Sequence, residues 1–137
     1  MKLYKTSEYA LRALIYMANH EEKKYSVNLL HKNLDIPYKY LGRLMPRLAE
    51  AGIVIAVKGK SGGYLFAKPL DEIFLNEIID VVEGWENYNK CLLGFDKCGD
   101  DKPCPLHEQW GPIKHQILDM FQNMSLQDAV KKGLLKF

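Results

Sequence analysis

All three cysteines of the chain fall between Lys90 and Trp110, in the stretch KCLLGFDKCGDDKPCPLHEQW. With His107 they form the series Cys-x6-Cys-x5-Cys-x2-His at Cys91, Cys98, Cys104 and His107, within 17 positions. Thiolate and imidazole donors suit zinc, iron-sulfur clusters and other soft or borderline metals. Structural zinc sites usually draw on two close cysteine pairs, and the gaps here are wider than that. Widely spaced thiolates on a flexible loop better suit a bulkier iron-sulfur cluster, which accepts histidine in place of cysteine. A single zinc ion, another metal, or no metal are the other readings. An odd number of cysteines cannot all pair within one chain, so a disulfide framework is the weakest reading. Cys104 and His107 as nucleophile and base would need an oxyanion-hole motif or a cofactor loop beside them. Neither is present, and no catalytic residue is assigned.

The elements around this stretch must position it. Trp85 to Pro103 has no apolar periodicity, and loops of this length are uncommon unless functional or disordered. Before it, Leu75, Ile78, Ile79 and Val82 repeat as an amphipathic helix that closes a core ahead of Gly84. After it, Leu106, Trp110, Ile113, Ile117, Met120 and Met124 alternate spacings of four and three, the pattern of a heptad seam that pairs with a second copy. Pro112 after Gly111 predicts a bend or restart near the beginning of that helix. Residues 84–104 are thus read as a cysteine-bearing ligand loop and 105–137 as a dimerisation helix with a C-terminal tail.

Residues 1–83 read as a winged helix-turn-helix domain. Ser7 is placed to cap a first helix containing Ala10, Leu11, Leu14, Ile15, Met17 and Ala18, and Ser26 to cap a second, short one. Pro37 suits the start of a third helix whose core stripe is Leu41, Leu44, Met45 and Leu48. Tyr38, Lys39, Tyr40, Gly42, Arg43 and Arg47 occupy its other face and first turn, where they can reach phosphates and base edges. Pro46 inside this helix predicts a kink or loosening near Met45, and Ala51-Gly52 stops it. Ile53 to Val57 and Tyr64 to Ala67 are strand-like runs, and Lys58, Gly59, Lys60, Ser61, Gly62 and Gly63 between them form a cationic hairpin tip. In this order the elements make a wing that meets the minor groove or backbone while the third helix enters the major groove. The tip lacks the spacing of a phosphate loop and precedes a strand rather than a helix.

Charge follows the same division. Residues 1–70 carry twelve Lys or Arg against five Asp or Glu, and residues 71–137 carry seven against twelve, which gives the net +2. A basic half suits a polyanion, although a solvated Lys-rich face alone needs no partner. With 47% apolar and 26% charged residues the chain can bury one modest core. No run approaches the ~18 apolar residues of a membrane span, and no secretory leader pattern opens the chain. The expected compartment is the cytoplasm, with no membrane partner.

Four segments together resemble a known family: MKLYKTSEYALRAL, IPYKYLGRLMPRLAEAG, VKGKSGGYLFAKP and CPLHEQW. They are similar to the bacterial winged-helix regulators typified by the iron-sulfur regulator IscR and the nitric-oxide sensor NsrR, over nearly the whole chain. The resemblance implies a homodimeric, cytoplasmic transcription regulator that binds a palindromic operator in double-stranded DNA. It implies a mainly α fold with a small β-hairpin wing and a long C-terminal dimerisation helix. Cys91, Cys98 and Cys104 match the cluster-binding cysteines, and His107 matches the histidine ligand of the IscR branch, which holds a [2Fe-2S] cluster. Lys39, Tyr40, Arg43, Lys58 and Gly59 match DNA-facing positions. Two departures stand out: the first cysteine gap is one residue longer than is usual in the IscR branch, and Gly42 stands where that branch has a glutamate. Other branches take a carboxylate from the partner's first helix, where this chain has Glu8, or a histidine near His31; these are alternative fourth ligands. The implied mechanism is a cluster-dependent tie between the loop and the dimer helix that sets the spacing of two reading heads.

Overall fold

Helices form where apolar residues recur at a 3.6-residue spacing. A computed structural model describes residues 3–20, 24–95 and 101–132. In order come α1 (Lys5–Asn19), α2 (Val27–Leu34) and α3 (Tyr38–Glu50). Leu14 of α1, Leu30 of α2 and the whole α3 stripe of Leu41, Leu44, Met45 and Leu48 are buried in one core. Ser26 Oγ accepts the Leu29 N–H at 3.0 Å, the expected cap on α2. Beyond Ala51, Gly52 takes a left-handed φ of 79° and ends α3. Ser7 does not cap α1, because the helix already begins at Lys5. It is instead buried, and its backbone N–H donates to Glu83 Oε1 at 2.9 Å.

Pro46 does not interrupt α3, contrary to the expected loosening near Met45. Proline has no N–H to give the Gly42 carbonyl, but one lost bond is outweighed by the packing of Leu44, Met45 and Leu48. The wing follows as an antiparallel pair, β1 (Val54–Val57) and β2 (Gly63–Phe66), in the register Val54 to Phe66 and Val57 to Gly63. Tyr25 adds a bridge to it: Tyr25 N–H donates to Tyr64 O at 2.9 Å and Tyr64 N–H to Tyr25 O at 2.8 Å. Glycine is required beside that bridge, since a Cβ on Gly63 would lie 2.9 Å from the Tyr25 carbonyl carbon and one on Gly62 would run into the Val57 carbonyl oxygen.

A 3₁₀ turn (Leu70–Glu72) leads to α4 (Leu75–Val82), whose Leu75, Ile78, Ile79 and Val82 are buried as the periodicity predicts. A second 3₁₀ turn (Trp85–Tyr88) opens the cysteine loop, and α5 (His107–Asn123) closes it. Pro112 does not restart a separate helix, for α5 is continuous through it. A last short helix, α6 (Leu126–Lys131), is one that periodicity alone did not predict. Ser125 pairs with Phe74 as an isolated bridge, with Leu126 N–H donating to Ile73 O at 2.8 Å and Leu75 N–H to Met124 O at 2.9 Å. Leu126 is fully buried in the core shared with α1.

The expected seam on α5 is divided between two faces. Trp110, Lys114 and Leu118, at successive steps of four, are buried, and Phe121 packs edge-on to Trp85 with ring centroids 6.2 Å apart. Ile113 and Met120 are each 50% exposed on the other side. A straight helix of 3.6 residues per turn drifts relative to a 3.5-residue pattern, so a single stripe spreads over neighbouring faces. Among the described residues no helix is long and apolar enough to cross a membrane.

Candidate functional site

The exposed face of α3 carries Tyr38, Lys39, Gly42, Arg43 and Arg47. Lys39, Tyr40, Arg43 and Arg47 line, with Thr6 of α1, a cleft of about 390 Å³. Tyr40 is half-buried; its hydroxyl shares a hydrogen bond with Thr6 Oγ1, and its ring meets Tyr9 edge-on at 4.9 Å. Tyr40 therefore fastens α1 to α3 as well as facing the cleft. Arg47 Nη2 donates to the Val81 carbonyl at 3.0 Å, in the last turn of α4, where a cation is favoured by the helix dipole. Arg43 and Lys39 are free of ion pairs, the ion pairs among the described residues being Lys5–Glu8 and Lys68–Glu77. Lys58, Gly59, Lys60 and Ser61 project from the wing, and Gly62 is partly covered. Thr6 is not legible in the sequence, because nothing local marks a threonine that meets a tyrosine from another helix.

The sulfur site lies at the foot of the loop. Cys91 is only 7% exposed, Cys104 is half-buried, and their Sγ atoms are 3.4 Å apart. Two thiolates each about 2.3 Å from one tetrahedral ion sit about 3.8 Å apart. The pair is thus close enough to share one ion, and in donor chemistry and spacing it fits a thiolate-held metal. The backbone N–H of Leu93 draws the Cys91 thiol below its ordinary pKa against the effect of burial, helped by the Cys104 thiol, the Phe95 N–H and the Lys114 charge. Cys98 lies outside the described residues. Among the described residues no third Cys, His, Asp or Glu joins the pair as a metal-holding set. His107 opens α5 with its N–H on the Cys104 carbonyl at 3.0 Å, and its ring is not gathered with the sulfurs. Of the alternative ligands, Glu8 is paired with Lys5 at 3.4 Å and His31 Nδ1 lies 2.6 Å from the Ile36 carbonyl oxygen.

A buried network runs from this foot to α1. Tyr88 is three positions before Cys91; its hydroxyl donates to Glu83 Oε2 at 2.9 Å, lies 3.3 Å from Ser7 Oγ and accepts the Tyr4 N–H at 3.2 Å. Burial pushes the Tyr88 hydroxyl pKa up, so it stays protonated as a donor. From Ser7 one step along α1 reaches Thr6, and Thr6 touches Tyr40 of α3.

Comparison with known proteins places this arrangement. The profile of the family Rrf2, described as iron-dependent transcriptional regulator, matches residues 3–132. The chain belongs to the Rrf2 family. An HTH-type transcriptional regulator of Aquifex aeolicus is 35% identical over 127 residues, covering 91% of this chain and 88% of that protein. The HTH-type transcriptional regulator IscR of Pectobacterium atrosepticum is 29% identical, covering 95% of this chain and 79% of that one. Two solved structures share the fold at 24% identity. CymR, the global cysteine regulator of B. subtilis, has a TM-score of 0.80 with 96% of this chain and 98% of that one covered. T. potens IscR has a TM-score of 0.73 with 98% and 89% covered. This Rrf2 protein is a DNA-binding transcriptional regulator of mainly helical, winged-helix fold, and its relatives are regulators, not enzymes.

Proposed function

We propose that this Rrf2 protein is a cytoplasmic homodimer whose operator affinity is set by an iron-sulfur cluster, a [2Fe-2S] centre by likeness to the IscR relatives. The observation that carries this reading is the 3.4 Å approach of the Cys91 and Cys104 sulfurs at the buried foot of the α4–α5 loop. Cys91, Cys98 and Cys104 would hold the cluster, with His107, or Glu8 or His31, as fourth ligand. Once bound, it supplies a centre sensitive to iron-sulfur supply, redox state or nitric oxide. The chain's own residues do the transmitting. Cys91 and Cys104 fix the loop's two ends to each other, and Tyr88 fixes its start to Tyr4, Ser7 and Glu83. Thr6 and Tyr40 then join α1 to the helix that reads DNA. Coupling of about 1 to 3 kcal/mol, or roughly 5 to 150-fold in affinity, is enough for a switch.

On DNA, Tyr38, Lys39, Tyr40 and Arg43 address the major groove, and Lys58, Gly59, Lys60, Ser61 and Gly62 the adjoining backbone or minor groove. Arg47, held by one bond from Nη2 to Val81, keeps other guanidinium N–H groups for the DNA backbone. Two such heads, about one helical turn or ~34 Å apart, suit a palindromic operator. The same sulfur pair favours a second reading, a thiol-responsive regulator in which Cys91 and Cys104 are oxidised to a disulfide, or one with structural zinc. Iron, sulfide and zinc analysis of anaerobically purified protein, with its visible spectrum and operator binding before and after cluster removal, decides among them. Brown protein with stoichiometric iron and sulfide, and affinity that changes on removal, is the expected result. Colourless protein with one zinc, or with none and a reducible Cys91–Cys104 bond, would refute the cluster.

A further inference from the structure

The inward face of α5 carries two buried polar side chains, Trp110 and Lys114. Trp110 is 8% exposed, and among the described residues its buried Nε1–H has no acceptor. Lys114, one turn on, is 5% exposed, and among the described residues no carboxylate pairs with it. A buried N–H without an acceptor is unfavourable. Both groups lie beside the same chemistry. Trp110 lines a cleft of about 260 Å³ with Cys91, Tyr88 and Lys90, and the Lys114 ammonium is near enough for its charge to act on the Cys91 sulfur.

We infer that Lys114 and Trp110 are positioning residues for an anionic, thiolate-bound metal centre, Lys114 as its buried counter-charge and Trp110 as an N–H donor toward its sulfur. This rests on the metal reading of the Cys91–Cys104 pair. A neutral disulfide would leave the indole N–H unsatisfied, whereas thiolates retained on a metal ion give it an acceptor and give the Lys114 ammonium an anion. Reduction makes such a centre more negative, so the fixed Lys114 charge favours the reduced form and raises the potential.

The test compares wild type with Lys114→Met, Lys114→Arg and Trp110→Phe after anaerobic reconstitution with iron and sulfide, and separately with zinc. Metal content is measured first, then the reduction potential of the iron form and the release of zinc to a chromophoric chelator. Lys114→Met is expected to lower the reduced-to-oxidised ratio at fixed potential about tenfold, equivalent to about 59 mV for one electron, or to speed zinc release to a similar degree. Lys114→Arg should restore most of the effect, and Trp110→Phe should shift the potential in the same direction by less. The metal-free Lys114→Met protein should keep the wild-type melting temperature, since the role assigned to Lys114 is toward the bound centre; a side chain needed only for packing would melt lower. Wild-type potential and zinc release in both Lys114→Met and Trp110→Phe would overturn the inference while leaving the metal reading intact. A wild-type protein that takes up neither metal would overturn both.

Discussion

Arg43 and Lys58 separate two ways of holding DNA. Arg43 projects from α3 without an ion pair, and Lys58 stands at the wing. If Arg43 meets a base edge, Arg43→Ala costs about 1 to 3 kcal/mol on the operator and relaxes preference at one position per half-site. Lys58→Ala should weaken operator and unrelated DNA alike and flatten the salt dependence by about one phosphate contact. Competitive anisotropy titrations at several salt concentrations check both. Cys91 gives a pH prediction. Its folded thiol pKa is lowered, first by the Leu93 N–H, so between that value and the ordinary thiol value the folded chain has released a proton that the unfolded chain keeps. Metal-free protein should therefore gain stability as pH rises through that window and gain no more above it; it should lose the gain as pH falls through the folded value. Denaturant melts of wild type and Cys91→Ser across the window read the slope, and equal slopes would refute it. The closeness of Cys91 and Cys104 is legible in the sequence because thiols are rare and clustered. Lys114 and Trp110 are not: a helical lysine reads as a solvated charge and the tryptophan as one more seam residue.

Among the elements, those with local signals are readable. Ser26 caps α2, Ala51 and Gly52 end α3, and the Gly-rich tip joins β1 to β2, because each depends on residues a few positions apart. The α6 helix escapes because its burial depends on Ser125 meeting Phe74 far along the chain, although Ser125 and Asp128 carry the reciprocal capping pattern. Ser7 misleads as a cap for a similar reason, since its Oγ meets the Tyr88 hydroxyl and its backbone N–H donates to Glu83 at the α4 end. The same long-range contacts make Tyr88 the element that joins loop to reading head. Tyr88→Phe keeps the ring and strips one hydroxyl from Tyr4, Ser7 and Glu83, at an expected cost of about 1 to 3 kcal/mol. It should also weaken operator binding in metal-free protein, since the α1 start no longer holds Thr6 against Tyr40. Leu126→Ala, which opens a cavity in the core at the far end of the chain, is the control. Melting temperature should fall in both variants and intrinsic operator affinity only in Tyr88→Phe, when both are assayed well below their melting points. Equal affinities would break the proposed path.

At the scale of the whole molecule, charge and apolar surface point to different partners. The Lys and Arg surplus sits in the half that holds α1 to β2, while the acidic half holds α5 with Ile113 and Met120 half exposed. An apolar pair on a helix whose neighbouring face is already packed on its own core is where a second copy is expected. The sequence could show the repeat but not its division, because which face α4 would take depends on the tertiary arrangement. A symmetric dimer puts the same residues of both copies at the seam, so one substitution introduces two charges at once. Ile113→Glu and Met120→Glu are therefore expected to give monomers that keep their helical content, since neither side chain enters the core. Loss of the second head should weaken binding to a two-half-site operator far more than to a single half-site, for avidity disappears while each head's contacts remain. Sedimentation and operator titration of the same preparations test this. Continued sedimentation of either variant, Ile113→Glu or Met120→Glu, as a dimer would move the interface off this face of α5.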